Sequence, residues 1–387
     1  MIRAILCPLL CLASVASATS ILSAQQGASQ GILQGTLQGT VRAAPTDVPL
    51  PYAVITIPAL SIERFSGANG QFLIGNIAAG THEVIVRRLG FVPERRTVTI
   101  LPAQSTALDV RLAQVPVRLS QMTVRPAEPC RNPGIPDSAR FPEVAQLVGL
   151  LRENADRYRL LVKQYPFTFV RTRALGVLRD QEFVIQEVES MQGTGVPQGD
   201  YQPGRVVKSE RRPGGTDYSM SLPSLLDLAD EAFAKNHCFR YAGASVHGDE
   251  TWFRLDVRAA DRLSSPDVHG AFYLDSATAQ LRRMEVEMSR PDRLPRSLRS
   301  IRGVQVTTRF LEIAPGVSLV DNVCAVSWLK GSGRNLRHPI ELQQIVRYAF
   351  SAPPPDIEAA GSRPAPPWNG VATLPRAELS CVAPDGL

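Results

Sequence analysis

Across residues 33–114, apolar and polar side chains alternate in short runs separated by turn residues, with no stretch long enough for a helix. In His82-Glu83-Val84-Ile85-Val86-Arg87 the two valines share one face of an extended chain, because side chains on a strand alternate sides. The pattern predicts strands at 34–42, 53–57, 71–77, 82–88, 96–101 and 106–112. Many short strands with frequent turns pack as a β-sandwich.

The pattern changes at residues 141–165, where Val144, Leu147, Val148, Leu151, Ala155, Tyr158 and Val162 recur at three- and four-residue steps. This is the apolar stripe of an amphipathic helix, with Arg152, Glu153, Asp156 and Arg159 on the far side. Alternation then returns and predicts strands at 167–173, 182–189, 205–211, 238–242, 251–259, 270–274, 280–289, 304–313, 318–329 and 340–350. Turns at 275–278 and 314–316 make hairpins of their neighbours. The expected fold class is therefore mainly β: an N-terminal sandwich followed by an α+β domain, 141–350, in which a long helix covers an antiparallel sheet.

Prolines at 116, 126, 129, 133 and 136 mark 115–140 as an extended connector, and the Pro, Ala and Gly bias of 351–387 predicts a disordered tail. At the other end, Arg3, an apolar run and small residues around Ala16–Ala18 have the order of a secretory signal peptide within 1–24, cleaved after Ala18 or Ala24. The expectation is export to the periplasm or the outer-membrane surface, with no transmembrane span in the mature chain. Loss of the leader removes Arg3 alone among the charges, so the net charge of +6 falls by one. So small and scattered an excess argues against nucleic acid as a partner, while permitting contact with acidic envelope surfaces.

Four cysteines remain after the leader, Cys130, Cys238, Cys324 and Cys381. None has zinc-ligand or C-x-x-C spacing, so a structural role in an oxidising compartment is expected. Three pairings are open. The one favoured is Cys130 with Cys238 and Cys324 with Cys381.

Several ordered motifs carry a family resemblance: Gly39-Thr40-Val41, Pro49-Leu50-Pro51 leading into Ala53–Ile57, Asn69-Gly70-Gln71-Phe72, Gly80-Thr81-His82 and Arg88-Leu89-Gly90-Phe91. In that order they resemble the carboxypeptidase regulatory-like family, a transthyretin-like sandwich. The resemblance implies an accessory domain without chemistry of its own, and a carbohydrate-binding role for which Tyr52, Phe65, Phe72 and Phe91 are the aromatic candidates. The segment 115–124 resembles the strand that follows such a sandwich in TonB-dependent outer-membrane receptors, but too little chain remains for a receptor barrel. Gly270–Asp275, leading through Thr278 to Leu281–Glu285, resembles the half-barrel carriers that move lipoproteins through the periplasm. That likeness implies an acyl-chain pocket between helix and sheet, although the same residues read more readily as the domain core.

Possible chemistry is sparse. His247 and Glu250, and His338 and Glu341, have a His-x-x-Glu spacing, yet Gly248-Asp249 reads as a turn and Pro339 as the start of a strand, so a zinc hydrolase is not favoured. Ser327 and Lys330 have serine–lysine spacing, but residues three apart on a strand face opposite ways. His237-Cys238 would diverge on a strand for the same reason. The glycines of 193–199 lack dinucleotide spacing and read as a flexible loop. No catalytic, metal or cofactor residue is therefore assigned. Arg290, Arg293, Arg296, Arg299 and Arg302 recur every third residue between two strands and are the candidate contact with an anionic partner. The functional expectation is a non-catalytic envelope protein that binds or docks an envelope protein or outer-membrane component. The alternatives are a carrier of a lipid or apolar ligand, and a glycan-binding accessory module.

Overall fold

The computed structural model describes residues 33–115, 129–196, 201–331, 337–354 and 357–382. The signal segment, the receptor-like strand at 116–124 and the core of the expected connector lie outside the described residues.

The N-terminal sandwich is built from β1 (Gln34–Ala44), β2 (Val54–Ile57), β3 (Ile62–Phe65), β4 (Gln71–Ala78), β5 (Gly80–Arg87), β6 (Glu94–Ile100), β7 (Ser105–Ala107) and β8 (Val110–Ala113). One sheet centres on β1, paired antiparallel with β4 and parallel with β7 and β8; the other runs β3-β2-β5-β6. Leu37, Val41, Ile55, Ile57, Ile74, Val84 and Val86 meet between the sheets, as alternation predicts. Gly39 allows the close pairing: a Cβ there would lie 1.8 Å from the Leu108 carbonyl oxygen.

The second unit opens with α1 (Pro142–Gln164), which has proline in its first turn, where the missing N–H has no helical partner to lose. Then follow β9 (Phe167–Arg179), β10 (Glu182–Thr194), the hairpin β11 (Val207–Arg212) and β12 (Gly215–Met220), and the short helix α2 (Glu231–Lys235). The remaining strands are β13 (His237–His247), β14 (Glu250–Ala259), β15 (Val268–Asp275), β16 (Leu281–Met288), β17 (Ile301–Ala314), β18 (Val317–Leu329), β19 (His338–Phe350), β20 (Ala360–Ser362) and β21 (Thr373–Pro375). Apart from the separate β11-β12 hairpin, they form a single sheet in the order β13-β14-β15-β16-β17-β18-β19-β9-β10-β21, with β20 beside β19. The helix on an antiparallel sheet is as the periodicity predicts. The pattern did not foresee β3, β12, β20, β21 or α2.

The two faces of the sheet are covered differently. Leu147, Val148, Leu151 and Ala155 of α1 pack on the face bearing Leu255, Val257, Phe272, Met284 and Val306. On the opposite face Cys324, Leu342, Ala174 and Phe183 are covered by Trp368, Leu374, Leu379 and Cys381. The proline-rich tail, read from composition as disordered, is thus ordered over 357–382: it contributes β20 and β21 and is tied down by the Cys324–Cys381 disulfide. Buried apolar side chains and a covalent link outweigh what its composition suggests.

The far side of α1 is also covered in part, around Glu153 and Asp156, while Arg159 stays exposed. Arg87 of β5 donates to Glu153 at 2.8 Å and to Glu63 at 3.0 Å, and lies 3.7 Å from Asp156. Beside this cluster, Tyr52, Val54 and Phe65 of the sandwich pack with Leu161, Phe167, Val317 and Phe350. Gln164 at the helix end donates to the Glu63 carbonyl oxygen at 2.7 Å. The polar stripe of α1 therefore meets the sandwich, a contact between chain segments that helical periodicity does not encode.

Candidate functional site

A large concave surface lies where β13 ends the sheet, a groove of about 1210 Å³. The chain enters it at Cys130, bonded to Cys238, and the Cys130 carbonyl oxygen accepts from Asp261 N–H at 2.9 Å. It then passes the strand edge, where Gly134 N–H donates to the His237 carbonyl oxygen at 3.0 Å, and turns into α1. Residues 129–141 thus form one wall and the first turn of α1 another, while β13, β14 and β15 form the floor.

Outward-facing side chains of the floor are charged. Asp256 accepts from Arg240 at 2.6 Å and from Arg254 at 2.7 Å, and His269 pairs with Glu287 at 2.7 Å. The His269 hydrogen bond draws the Glu287 carboxyl below its ordinary range. Arg131 and Arg258 also line the groove and have no ion pair among the described residues. On the helix side the lining turns aromatic: Phe239, Tyr241 and Phe141, the last 48 % exposed with the Arg140 guanidinium 5.2 Å from its ring centre. The groove thus has charge on one side and rings on the other, Phe239 and Tyr241 half-buried and Phe141 exposed.

Among the described residues, the space between α1 and the sheet is packed with side chains. Residues 201–235 insert Tyr201, Val206, Leu225, Leu228 and Phe233 into it, leaving a cavity of about 10 Å³, the room of one water. The insertion is fastened by a buried carboxylate: Asp267 accepts from Tyr201 Oη at 2.7 Å, Gly204 N–H at 2.8 Å and Val268 N–H at 2.8 Å. His237, also buried, holds its Nδ1 2.8 Å from the Phe233 carbonyl oxygen and stacks on the Phe233 ring. Burial lowers the His237 pKa against the opposing pull of Asp267. Burial, and then Asp267, raises that of Tyr201.

Elsewhere on the α1 face, Arg173 of β9 makes two bonds to Glu341, at 2.7 and 3.1 Å, and one to Glu189 at 2.7 Å. Burial of Glu341 opposes its ionisation, but the Arg173 and Gln343 hydrogen bonds outweigh it and lower its pKa. Each group in this cluster is matched, which makes it a cross-strand brace for β10, β9 and β19.

The residues singled out in the sequence are scattered. His247 and Glu250 face each other across the β13–β14 turn, with His247 stacked on Trp252; His338 accepts from Leu329 N–H at 3.0 Å, far from use with Glu341, which Arg173 holds. Ser327 lies within β18 and Lys330 just beyond it, where its N–H bonds the Ser300 carbonyl oxygen. Gly193 and Gly195, read as loop glycines, instead lie flat against rings: a Cβ would come within 2.5 Å of Phe169 and 2.2 Å of Phe167. Of the aromatic candidates for sugar, Tyr52 and Phe65 are buried against the second unit, Phe72 is sandwich core and Phe91 packs against that core. In the arginine loop, Arg290 bonds the Asp261 carbonyl oxygen at 2.6 Å, Arg293 pairs with Asp292, and Arg296 and Arg299 are exposed; Arg302, expected between the strands, is exposed within β17. Among the described residues, no three His, Cys, Asp or Glu side chains gather as a metal site, and no helix is long and apolar enough to cross a membrane. The groove was missed because its walls come from segments about a hundred residues apart. The one signal for it was a cysteine ahead of the helix with a possible mate at Cys238.

Sandwich, helix-covered sheet and edge groove together define a mainly β, two-unit scaffold. Residues 36–113 match the model of the carboxypeptidase regulatory-like domain, which covers nearly all of the sandwich. No curated protein matches the chain in sequence. Among solved structures, a chain of a type II cohesin–X-dockerin complex from Acetivibrio cellulolyticus shares 18 % identity over 20 % of this chain, at a TM-score of 0.17; this chain spans only 56 % of its length. A LolA superfamily protein from Nitrosomonas europaea shares 12 % identity over 57 % of this chain and 94 % of its own, at a TM-score of 0.27. A DUF1329 family protein from Desulfovibrio piger shares 11 % identity over 53 % of this chain and 93 % of its own, at 0.28.

Proposed function

We propose that this chain is a non-catalytic binding and interaction protein of the cell envelope, exported by its N-terminal leader, in which the carboxypeptidase regulatory-like sandwich braces a docking unit. The observation that carries the reading is the contrast between the two concave regions. The interior under α1 is filled by residues 201–235, whereas the groove beside β13 is open and lined by charged and aromatic side chains. A partner of protein chemistry is favoured there. An acyl chain under α1 would have to displace Tyr201, Leu225 and Phe233 and break the Asp267 hydrogen bonds, so the carrier reading ranks second. The arginine loop at 290–302 is a further contact surface for acidic groups.

Native mass spectrometry of the protein recovered from its own envelope fraction tests this reading. A co-purifying polypeptide at fixed stoichiometry is the expected result. A retained lipid in its place overturns the reading in favour of a carrier, and N-terminal sequencing of the same sample shows whether the leader has been cut after Ala18 or Ala24.

A further inference from the structure

We infer that the open edge of β13 receives an extended segment of a partner protein whose residues alternate between acidic and apolar. This rests on the docking role proposed above and specifies its partner chemistry. The backbone supplies the first observation. In a strand, the N–H and C=O of one residue point to the same side and those of the next residue to the other. The Asn236 carbonyl oxygen accepts from Ala260 N–H on the β14 side, while the His237 carbonyl oxygen accepts from Gly134 N–H on the free side. Phe239 and Tyr241 therefore aim their N–H and C=O groups at the groove, and no group among the described residues bonds them. Four backbone groups in register, continuing the single bond made by Gly134, form a template for an added strand.

The run is short by construction. The β13–β14 register shifts between Tyr241 and Ala244, with Gly243 at φ +98°, so the edge turns away after Tyr241. A guest of on the order of five residues fits, which places the contact among weak, transient ones.

Side chains set the guest's composition. Arg240 projects on the outer face beside Asp256, and Arg258, opposite Cys238 in register, projects on the same face without an ion pair among the described residues. Guest residues on that side meet the Arg258 guanidinium, Arg240 being already held by Asp256, and an acidic residue answers it. Those on the alternate side lie along Phe239, Tyr241 and exposed Phe141, and are apolar. Period-two alternation of the guest thus mirrors the two sides of the groove.

The test uses the full mature chain and fluorescein-labelled heptapeptides alternating Glu with Val, or Lys with Val, read by fluorescence anisotropy. The Glu peptide binds and the Lys peptide does not. Arg258→Glu, an exposed-site change that leaves the fold intact by circular dichroism, weakens binding about tenfold or more. N-methylation of alternate peptide amides weakens it comparably without any change to the protein. Hydrogen exchange shows new protection at the amides of Phe239 and Tyr241. Equal binding of both peptides, no binding, or binding without that protection overturns the proposal. So does protection of these amides in the absence of peptide in a self-associated dimer, measured by analytical ultracentrifugation. If native mass spectrometry finds a partner polypeptide while these assays fail, the docking role stands and only this mode of it falls.

Discussion

Arg157, in the middle of α1, donates its Nε to the carbonyl oxygen of Gly316 at 2.7 Å, joining the helix to the β17–β18 turn across 159 residues of chain. A side chain at position 316 would be strained and would push two guanidinium groups aside. The φ of Gly316 is +75°, and a Cβ there would lie 2.5 Å from Nη1 of Arg88 and 3.0 Å from Nη2 of Arg157. Two buried guanidinium groups thus flank one glycine. Burial, then the charge of Arg88, pushes Arg157 down to about 9, and burial brings Arg88 to about 10.

Gly316→Ala is expected to cost about 2–4 kcal/mol, from left-handed backbone strain and displacement of the Arg88 and Arg157 groups together. Arg157→Ala is expected to cost about 3–5 kcal/mol, since it strips a neighbouring charge from buried Glu153, and Arg157→Met less, because it keeps volume and removes a buried charge. Urea denaturation of the three variants checks the order. A Met variant as damaged as the Ala variant would show that packing volume does not matter here.

Arg87 ties the sandwich to α1 through Glu63 and Glu153. Arg87→Ala is expected to lower stability by about 1–3 kcal/mol and to separate one unfolding transition into two, as the units uncouple. Calorimetry on the variant reads this directly; a single unshifted transition would mean that the apolar contacts around Tyr52 and Phe65 suffice.

His237 gives an acid dependence whose sign follows from its lowered pKa. It is buried neutral, so as pH falls below the unfolded value of about 6.5 the unfolded chain takes up a proton that the folded chain resists, and stability is lost until the folded pKa is passed. The slope approaches about 1.4 kcal/mol per pH unit at most. The wild-type chain should lose stability between pH 7 and 5 more steeply than His237→Gln, as measured by urea titration at each pH.

The Cys324–Cys381 bond closes a separation of 57 residues and holds the tail on the sheet. Replacing both cysteines by alanine is expected to cost about 2–4 kcal/mol and to raise amide exchange across 357–382, leaving the sandwich unaffected. Uniform loss of protection would instead make the tail part of one cooperative unit.

The sequence was most informative where a single local rule governs. Alternation in 82–87 put Val84 and Val86 in the core, and the three-four spacing of Leu147, Leu151 and Ala155 placed α1 on the sheet. Composition misled at the tail, because Trp368, Leu374 and Leu379 are few among prolines yet are enough to dock it once Cys381 is held. Helical periodicity assigned Glu153 and Asp156 to solvent, and the tertiary structure faces them to Arg87.

By itself, then, the sequence determined the mainly β class, the family of the sandwich, the helix and most strands, since each depends on neighbours within a few residues. Only the tertiary structure decided that residues 201–235 fill the interior, that the two units interlock at Arg87, that Arg157 ties α1 to the β17–β18 turn, and that β13 is left as an open edge. Those outcomes depend on contacts between segments tens to hundreds of residues apart, and on strand order, for which no local periodicity provides a signal.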